Sequence, residues 1–184
     1  MWQQSPSAVQ SPRDKEIRVS LIVACLLAVG NLVAQQPAPA GSQTSDLVLT
    51  APSHEPVRLS ATELKALPHI TVTFHNTHTN GDESYSGVRL ADLLAKLGAP
   101  LGDALRGKAL ANYVVATGLD GYKSVLALGE IDPSFHPGEV IVADAMDGKP
   151  LDAHNAPFKL VVTEDKRPAR SVRNLVSIEL RSAQ

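Results

Sequence analysis

The sequence predicts an α+β domain in which mixed β-sheets outnumber a few short helices. Three observations lead there. Short runs with a two-residue apolar period recur, as at Ile70, Val72 and Phe74. Turn signals such as Asn80-Gly81, Asp120-Gly121 and Asp147-Gly148 separate them. Helical spacing is confined to one strong stretch, Leu90, Leu93, Leu94 and Leu97, and a short capped one after Ser60. With 43% hydrophobic residues in a chain of 184, one domain of roughly 140 residues can bury a core without staples. The 17 Lys and Arg nearly balance the 19 Asp and Glu, so the formal net charge of -2 gives no reason to expect a nucleic-acid partner or a membrane surface.

Taken in order, residues 1–34 read as a secretory signal peptide. Arg13, Lys15 and Arg18 make a positive start, diluted by Asp14 and Glu16. An apolar run follows over 19–34, interrupted by Gly30 and Asn31, and small residues offer cleavage after Ala34 or Ala40. The protein is therefore expected to be exported, to a bacterial periplasm or beyond, with no stable membrane insertion after cleavage. Two other readings compete. A retained anchor would need about 20 apolar residues, and this run is short of that. A lipoprotein is suggested by Ile22-Val23-Ala24-Cys25, but apolar residues follow Cys25 where a polar stretch is usual. Residues 35–45, rich in Gln, Pro, Ala and Ser, read as a flexible lead-in to a domain at 46–184.

Within the domain, Leu47-Val48-Leu49 begins the first expected strand. Ser60-Ala61-Thr62-Glu63 fits a capping box, so a short helix is expected to about Leu67, where Pro68 stops it. A strand is expected over 69–74, and then a polar loop over 75–84. The leucine-spaced helix ends where Gly98 supplies a left-handed cap. Further strands are expected at 112–116, 123–128, 140–143, 158–162 and 176–180, with a proline-bearing turn at 133–137.

Five segments then carry a resemblance. Tyr85-Ser86-Gly87-Val88-Arg89-Leu90 with Leu93-Leu94 resembles "Y-x-G-V-x-L-x-x-L-L". Asp120-Gly121-Tyr122 with Leu126-Ala127-Leu128 resembles a "DGY…lpL" hairpin. The run from Ala143 to Leu151 is similar to "A-x-x-M-x-G-x-P-L", that from His154 to Val162 to "H-G-x-P-x-R-L-V-V", and that from Ala169 to Leu175 to "A-R-S-V-K-W-L". These are patterns of the sulfite-oxidase-like molybdopterin-binding family. They occur in the family's order, and the match runs from about Tyr85 to Leu180. The resemblance implies a sulfite-oxidase-type fold that holds molybdopterin, with cofactor-binding residues at Asp120, Gly121, Tyr122, His154, Arg170, Ser171 and Arg173.

The chain departs from the family where the metal is concerned. In the resembling enzymes a cysteine thiolate completes the sulfur-rich coordination of molybdenum, and harder ligands do not replace it. Here the one cysteine is Cys25, inside the expected export segment. The family's "V-P-G" is here Thr163-Glu164-Asp165, two carboxylates that would repel a pterin phosphate. The expectation is an oxidoreductase-family protein that binds a pterin-type or other small anionic ligand without molybdenum turnover of its own. The alternative is a non-catalytic periplasmic binding or partner-interaction module, which uses the pocket for another small anion or for a partner protein.

Each candidate group also has a plainer reading. Lys166, Arg167, Arg170 and Arg173 form a basic cluster suited to an anion, or else a solvated turn offset by Glu164 and Asp165. His75 and His78, with Asp82 and Glu83, carry metal-ligand chemistry, or else form a polar hairpin tip. Asp120-Gly121 makes a tight turn in many proteins, with a neighbouring Tyr satisfied at the rim, and His154 suits a turn as well as a ligand. No catalytic residue and no metal ligand is expected.

Overall fold

The computed structural model describes residues 46–76 and 80–183. All of them fall in the compact unit Ser42–Gln184. The expected signal peptide (1–34) with Cys25, the lead-in (35–45) and His78 lie outside the described residues. No described helix is long and apolar enough to cross a membrane.

Strand β1 (Leu47–Thr50) buries Leu47 and Leu49 on one side of its pleat. It pairs with β2 (Val57–Leu59), which is too short to show a period in sequence. Helix α1 (Ala61–Lys65) begins as its cap predicts: Ser60 Oγ accepts the Glu63 amide at 3.2 Å, and the Glu63 carboxylate accepts the Ser60 amide at 2.8 Å. Strand β3 (Ile70–Asn76) buries Val72 and Phe74.

The polar stretch 75–84 is not a long loop. Strand β4 (Gly81–Arg89) runs back along β3 in an unbroken antiparallel ladder from Asn76↔Gly81 to Ile70↔Gly87. Backbone pairing does not depend on apolar side chains, so the polarity of Asp82, Glu83 and Ser84 hid a strand. Asn80, at φ 51°, makes the turn as read from Asn80-Gly81. Helix α2 (Leu90–Ala95) places Leu90, Leu93, Leu94 and Leu97 in the core, and Gly98 has φ 70°, as the spacing predicts.

Strands β5 (Asn112–Gly118) and β6 (Lys123–Ala127) form the hairpin turned by Asp120-Gly121. A helical turn, α3 (Leu128–Ile131), follows where strand was expected to persist through Leu128. Then come β7 (Val140–Met146), β8 (Lys149–Pro150), β9 (Lys159–Val162) and β10 (Leu175–Ser182). The strands make two sheets. The first has the order β2-β1-β10-β5-β6, with β1 and β10 parallel; the second has β3-β4-β7, with β8 and β9 both on β7.

The main core lies between the sheets and includes the three leucines of α2 and Leu97 with Val114, Leu126, Val142, Leu160, Val172 and Ile178. A smaller cluster, Val72, Phe74, Tyr85, Ile141, Ala143, Leu151 and Val161, covers the other face of the second sheet. Gly87 is required where β4 crosses β7: a Cβ there would come within 2.2 Å of the Val142 carbonyl oxygen. The register slips at that crossing, between Ser86↔Ala145 and Gly87↔Ala143. Asp144 is the extra residue of the bulge, and its carboxylate turns to His69 at 3.2 Å.

Candidate functional site

The outer face of the second sheet opens into a cleft of about 460 Å³. The sheet contributes Phe74, Glu83, Tyr85, Met146, Lys159 and Val161 as floor. The β5–β6 hairpin tip contributes Asp120 and Tyr122, and the segments on either side of β9 contribute Asp152, His154, Ser171 and Arg173. Five of the sequence-predicted residues thus share one cavity: Asp120, Tyr122, His154, Ser171 and Arg173. Gly121, at φ 83°, shapes the hairpin turn without lining it.

Arg170 is elsewhere. Its guanidinium donates to Asp165 through Nε (2.9 Å) and Nη2 (2.5 Å), and through Nη1 to Glu130 (2.5 Å). These bonds hold its pKa above the usual arginine value. Burial works to raise the Glu130 carboxyl, but the bonds from Arg170 and the Ala127 amide outweigh it and leave Glu130 below its ordinary value. The expected basic cluster is therefore divided, and Arg170 is not a cleft residue. The same bonds correct the expectation for Asp165, whose charge is taken up by Arg170 rather than left to repel an anion. Glu164 is exposed.

Two cations remain in the cleft. Arg173 meets the His154 imidazole. Lys159 Nζ donates to the Tyr85 hydroxyl at 2.5 Å and sits 4.4 Å from that ring's centroid. Tyr85 in turn donates to Glu83 at 2.7 Å, and Glu83 accepts from the Asn76 amide at 2.7 Å. Neither Lys159 nor Arg173 is in a salt bridge among the described residues. Burial pushes the Lys159 ammonium below the usual lysine range, with Arg173 adding to that and Glu83 and Asp152 opposing it. The two cations share the cleft with the carboxylates of Glu83, Asp120 and Asp152.

The carboxylates beside them have local work. Asp152 accepts the His154 and Asn155 amides and the Asn155 side chain, each near 3.0 Å, which lowers its pKa. Asp120 accepts the Tyr122 amide at 2.9 Å. Tyr122 reaches across to donate to the Ala169 carbonyl at 2.5 Å, so the hairpin tip is tied to the turn before Ser171. Ser171 Oγ accepts the Val162 amide at 3.4 Å.

Lys159, Tyr85 and Asp152 were not singled out in the sequence, and Glu83 stood there only in the histidine and acid group of the hairpin tip. Lys159 and Tyr85 lie inside resembling segments, which was the available signal. At the β3–β4 tip His75 is bonded to Asp82 at 2.7 Å, both well exposed, and Glu83 accepts from Tyr85 and Asn76. No group of three or more metal-ligating side chains occurs among the described residues.

Comparison with solved structures finds a similar fold in the sulfane dehydrogenase SoxCD from Paracoccus pantotrophus. The TM-score is 0.58 at 16% identity, over 77% of this chain and 39% of that chain. At this identity the likeness concerns the fold alone, and the present chain spans about two-fifths of that chain's length. Sequence comparison with curated proteins finds no match. The family described as "Oxidoreductase molybdopterin binding domain" matches residues 35–184. A family match over most of the sequence, on a sulfite-oxidase-type fold of two mixed and antiparallel sheets, means that the chain belongs to the molybdopterin-binding oxidoreductase family.

Proposed function

We propose that this chain is an exported member of the family whose cleft holds a pterin-type or other small anionic ligand without molybdenum redox turnover of its own. The observation that carries the reading is the pair of cations, Lys159 and Arg173, facing the cleft without a salt bridge among the described residues. Arginine grips phosphate or carboxylate through its planar fork, and lysine adds a point charge. Ser171 adds a hydroxyl beside them.

The donor set fits the anionic end of molybdopterin and does not fit molybdenum. Among the cleft's lining residues sulfur is present as the Met146 thioether, and the other candidate donors are carboxylate, phenol and imidazole. A thiolate-completed molybdenum site needs softer ligation than these groups provide. No chemical step is therefore assigned to a metal here. The chain's residues bind and orient an anion, and Tyr122, tied to Ala169, narrows one side of the cavity.

Export is supported by the charged start and the apolar run over 19–34. A second reading, a periplasmic module that docks a partner protein, draws on Leu119 and Tyr122. They are 69% and 48% exposed at the hairpin tip beside the cleft.

The deciding experiment expresses the full chain in a host that makes the cofactor. Molybdenum and pterin per protein, sulfite oxidation and sulfoxide reduction are then measured. The expected result is neither near-stoichiometric molybdenum nor turnover, together with phosphate binding that Arg173→Gln removes. Stoichiometric molybdenum with activity would return this chain to the metal enzymes. An intact mass that retains residues 1–34 on protein from the cell envelope would remove the cleaved-export reading.

A further inference from the structure

Holding an anion does not explain why the cleft's inner cation is a lysine. The family pattern "H-G-x-P-x-R-L-V-V" carries arginine at this position, and this chain has Lys159. Arginine keeps its proton under any physiological condition, whereas lysine releases one when desolvated or crowded by charge. Both influences act here. Lys159 is half-buried, and Arg173 shares its cavity.

The surroundings also give the proton a route. Lys159 Nζ is 2.5 Å from the Tyr85 oxygen, and the Tyr85 hydroxyl donates to Glu83 at 2.7 Å. Two hydrogen bonds thus lead from the amine to a carboxylate that Asn76 holds at 2.7 Å. The charged or titratable groups that act on the amine are Tyr85 and Glu83 from β4, Asp152 from the loop before β9, and Arg173 from the segment before β10.

We propose that Lys159 is a nucleophilic amine that forms an imine with a small aldehyde or ketone carrying an anionic group, which Arg173 holds. The proposal rests on the cleft being the ligand site. The ammonium first passes a proton through the Tyr85 hydroxyl to Glu83. The free nitrogen then attacks the carbonyl carbon, the C=O π bond opens, and the oxygen takes a proton from the attacking nitrogen to become a hydroxyl. That hydroxyl takes the proton back from Glu83 and leaves as water, while the nitrogen lone pair forms the C=N bond. One ammonium and one carbonyl become one protonated imine and one water, with no net change in protons or electrons. Arg173 fixes the orientation by drawing the ligand's anion to its end of the cleft.

The test treats the purified full chain with glyoxylate, and separately with propanal, in the presence of sodium cyanoborohydride to fix any imine. Labelling at each lysine is followed by peptide mass spectrometry. Glyoxylate is expected to label Lys159 roughly tenfold faster than the exposed Lys65 and Lys149, because a desolvated amine holds its lone pair free for attack. Inorganic phosphate should slow that labelling, and Tyr85→Phe should slow it at Lys159 while leaving Lys65 unchanged. Lys159→Arg should remove the adduct without lowering the melting temperature by much. Equal labelling by propanal would support the reactive amine and remove the anionic-ligand reading. Phosphate binding beside a Lys159 that labels no faster than Lys65 with either aldehyde would overturn the amine and leave the anion site standing.

Discussion

The two faces of the second sheet have opposite characters. Its inner face meets the main core, where Val88, Val142 and Leu160 pack against the leucines of α2. Its outer face carries a smaller apolar cluster and then the cleft, where Lys159 and Arg173 are left without a salt bridge among the described residues. Arg170 and Arg173 repeat the contrast within four residues. Arg170 is clamped by Glu130 and Asp165, and Arg173 faces the cavity. Charge of one kind, in one short segment, serves structure at one position and is left available at the next. What separates them is the backbone. A 3-10 turn at Pro168–Arg170 points the first arginine at α3, and the extended residues after it carry the second to the cleft.

If the inner face carries stability and the outer face binding, substitutions should split the same way. The largest effect is expected for Leu94→Ala. Leu94 is fully buried in the main core, so the loss should be about 2–5 kcal/mol in denaturant unfolding. Phosphate affinity of the folded fraction should not change. A stability loss under 1 kcal/mol, the range of near-neutral surface changes, would show that α2 is peripheral.

Asp132 comes next. It is 2% exposed, accepts the Ser134 amide and hydroxyl at 2.8 and 2.5 Å, and accepts the Gly102 amide at 2.5 Å. Burial pushes its carboxyl up, but these bonds prevail and hold it below the usual value. A carboxylate lowered in the folded state stabilises above its unfolded pKa, near 3.9, and that stability is lost as pH falls through the lower folded value. Asp132→Asn should therefore cost about 1–3 kcal/mol at neutral pH and flatten the acid side of the stability profile below about pH 4. An unchanged acid limb would mean that Asp132 does not anchor this turn.

The arginine pair sharpens the comparison most directly. Arg170→Ala should lower stability by about 1 kcal/mol, since its partners are only partly shielded from solvent, and should leave phosphate binding near wild type. Arg173→Ala should do the reverse, abolishing binding with little change in melting temperature. Exchanged results would reverse the assignment of the two residues. The smallest effect is expected for Tyr122→Phe, which loses one exposed hydrogen bond to Ala169, about 0.5 kcal/mol. Its signature should be kinetic, a faster exchange of bound phosphate, measured by line broadening.

Much of the fold was legible in the chain itself. The capping box at Ser60 and Glu63, the leucine face of α2, the glycine cap at Gly98 and the turns at Asp120-Gly121 and Asp147-Gly148 each rest on a local rule that neighbouring residues satisfy alone. The strands with apolar alternation or apolar runs were legible for the same reason. Strand β4 was not, because its first half is polar and is held by pairing with β3, while its second half pairs with β7, more than fifty residues away. The helical turn α3 was missed as well, because Leu128 continues the apolar run of β6.

For the site, the resembling segments pointed to Asp120, Tyr122, His154, Ser171 and Arg173, and the sequence places the one thiol at Cys25. Only the tertiary structure decided which charges are neutralised. Arg170 finds Glu130 forty residues away, and Lys159 finds Tyr85 seventy-four residues away. Local sequence carries the propensities that make a strand or a turn. Whether a charge is paired or left facing a cavity depends on distances across the sheet, and those exist only once the chain has folded.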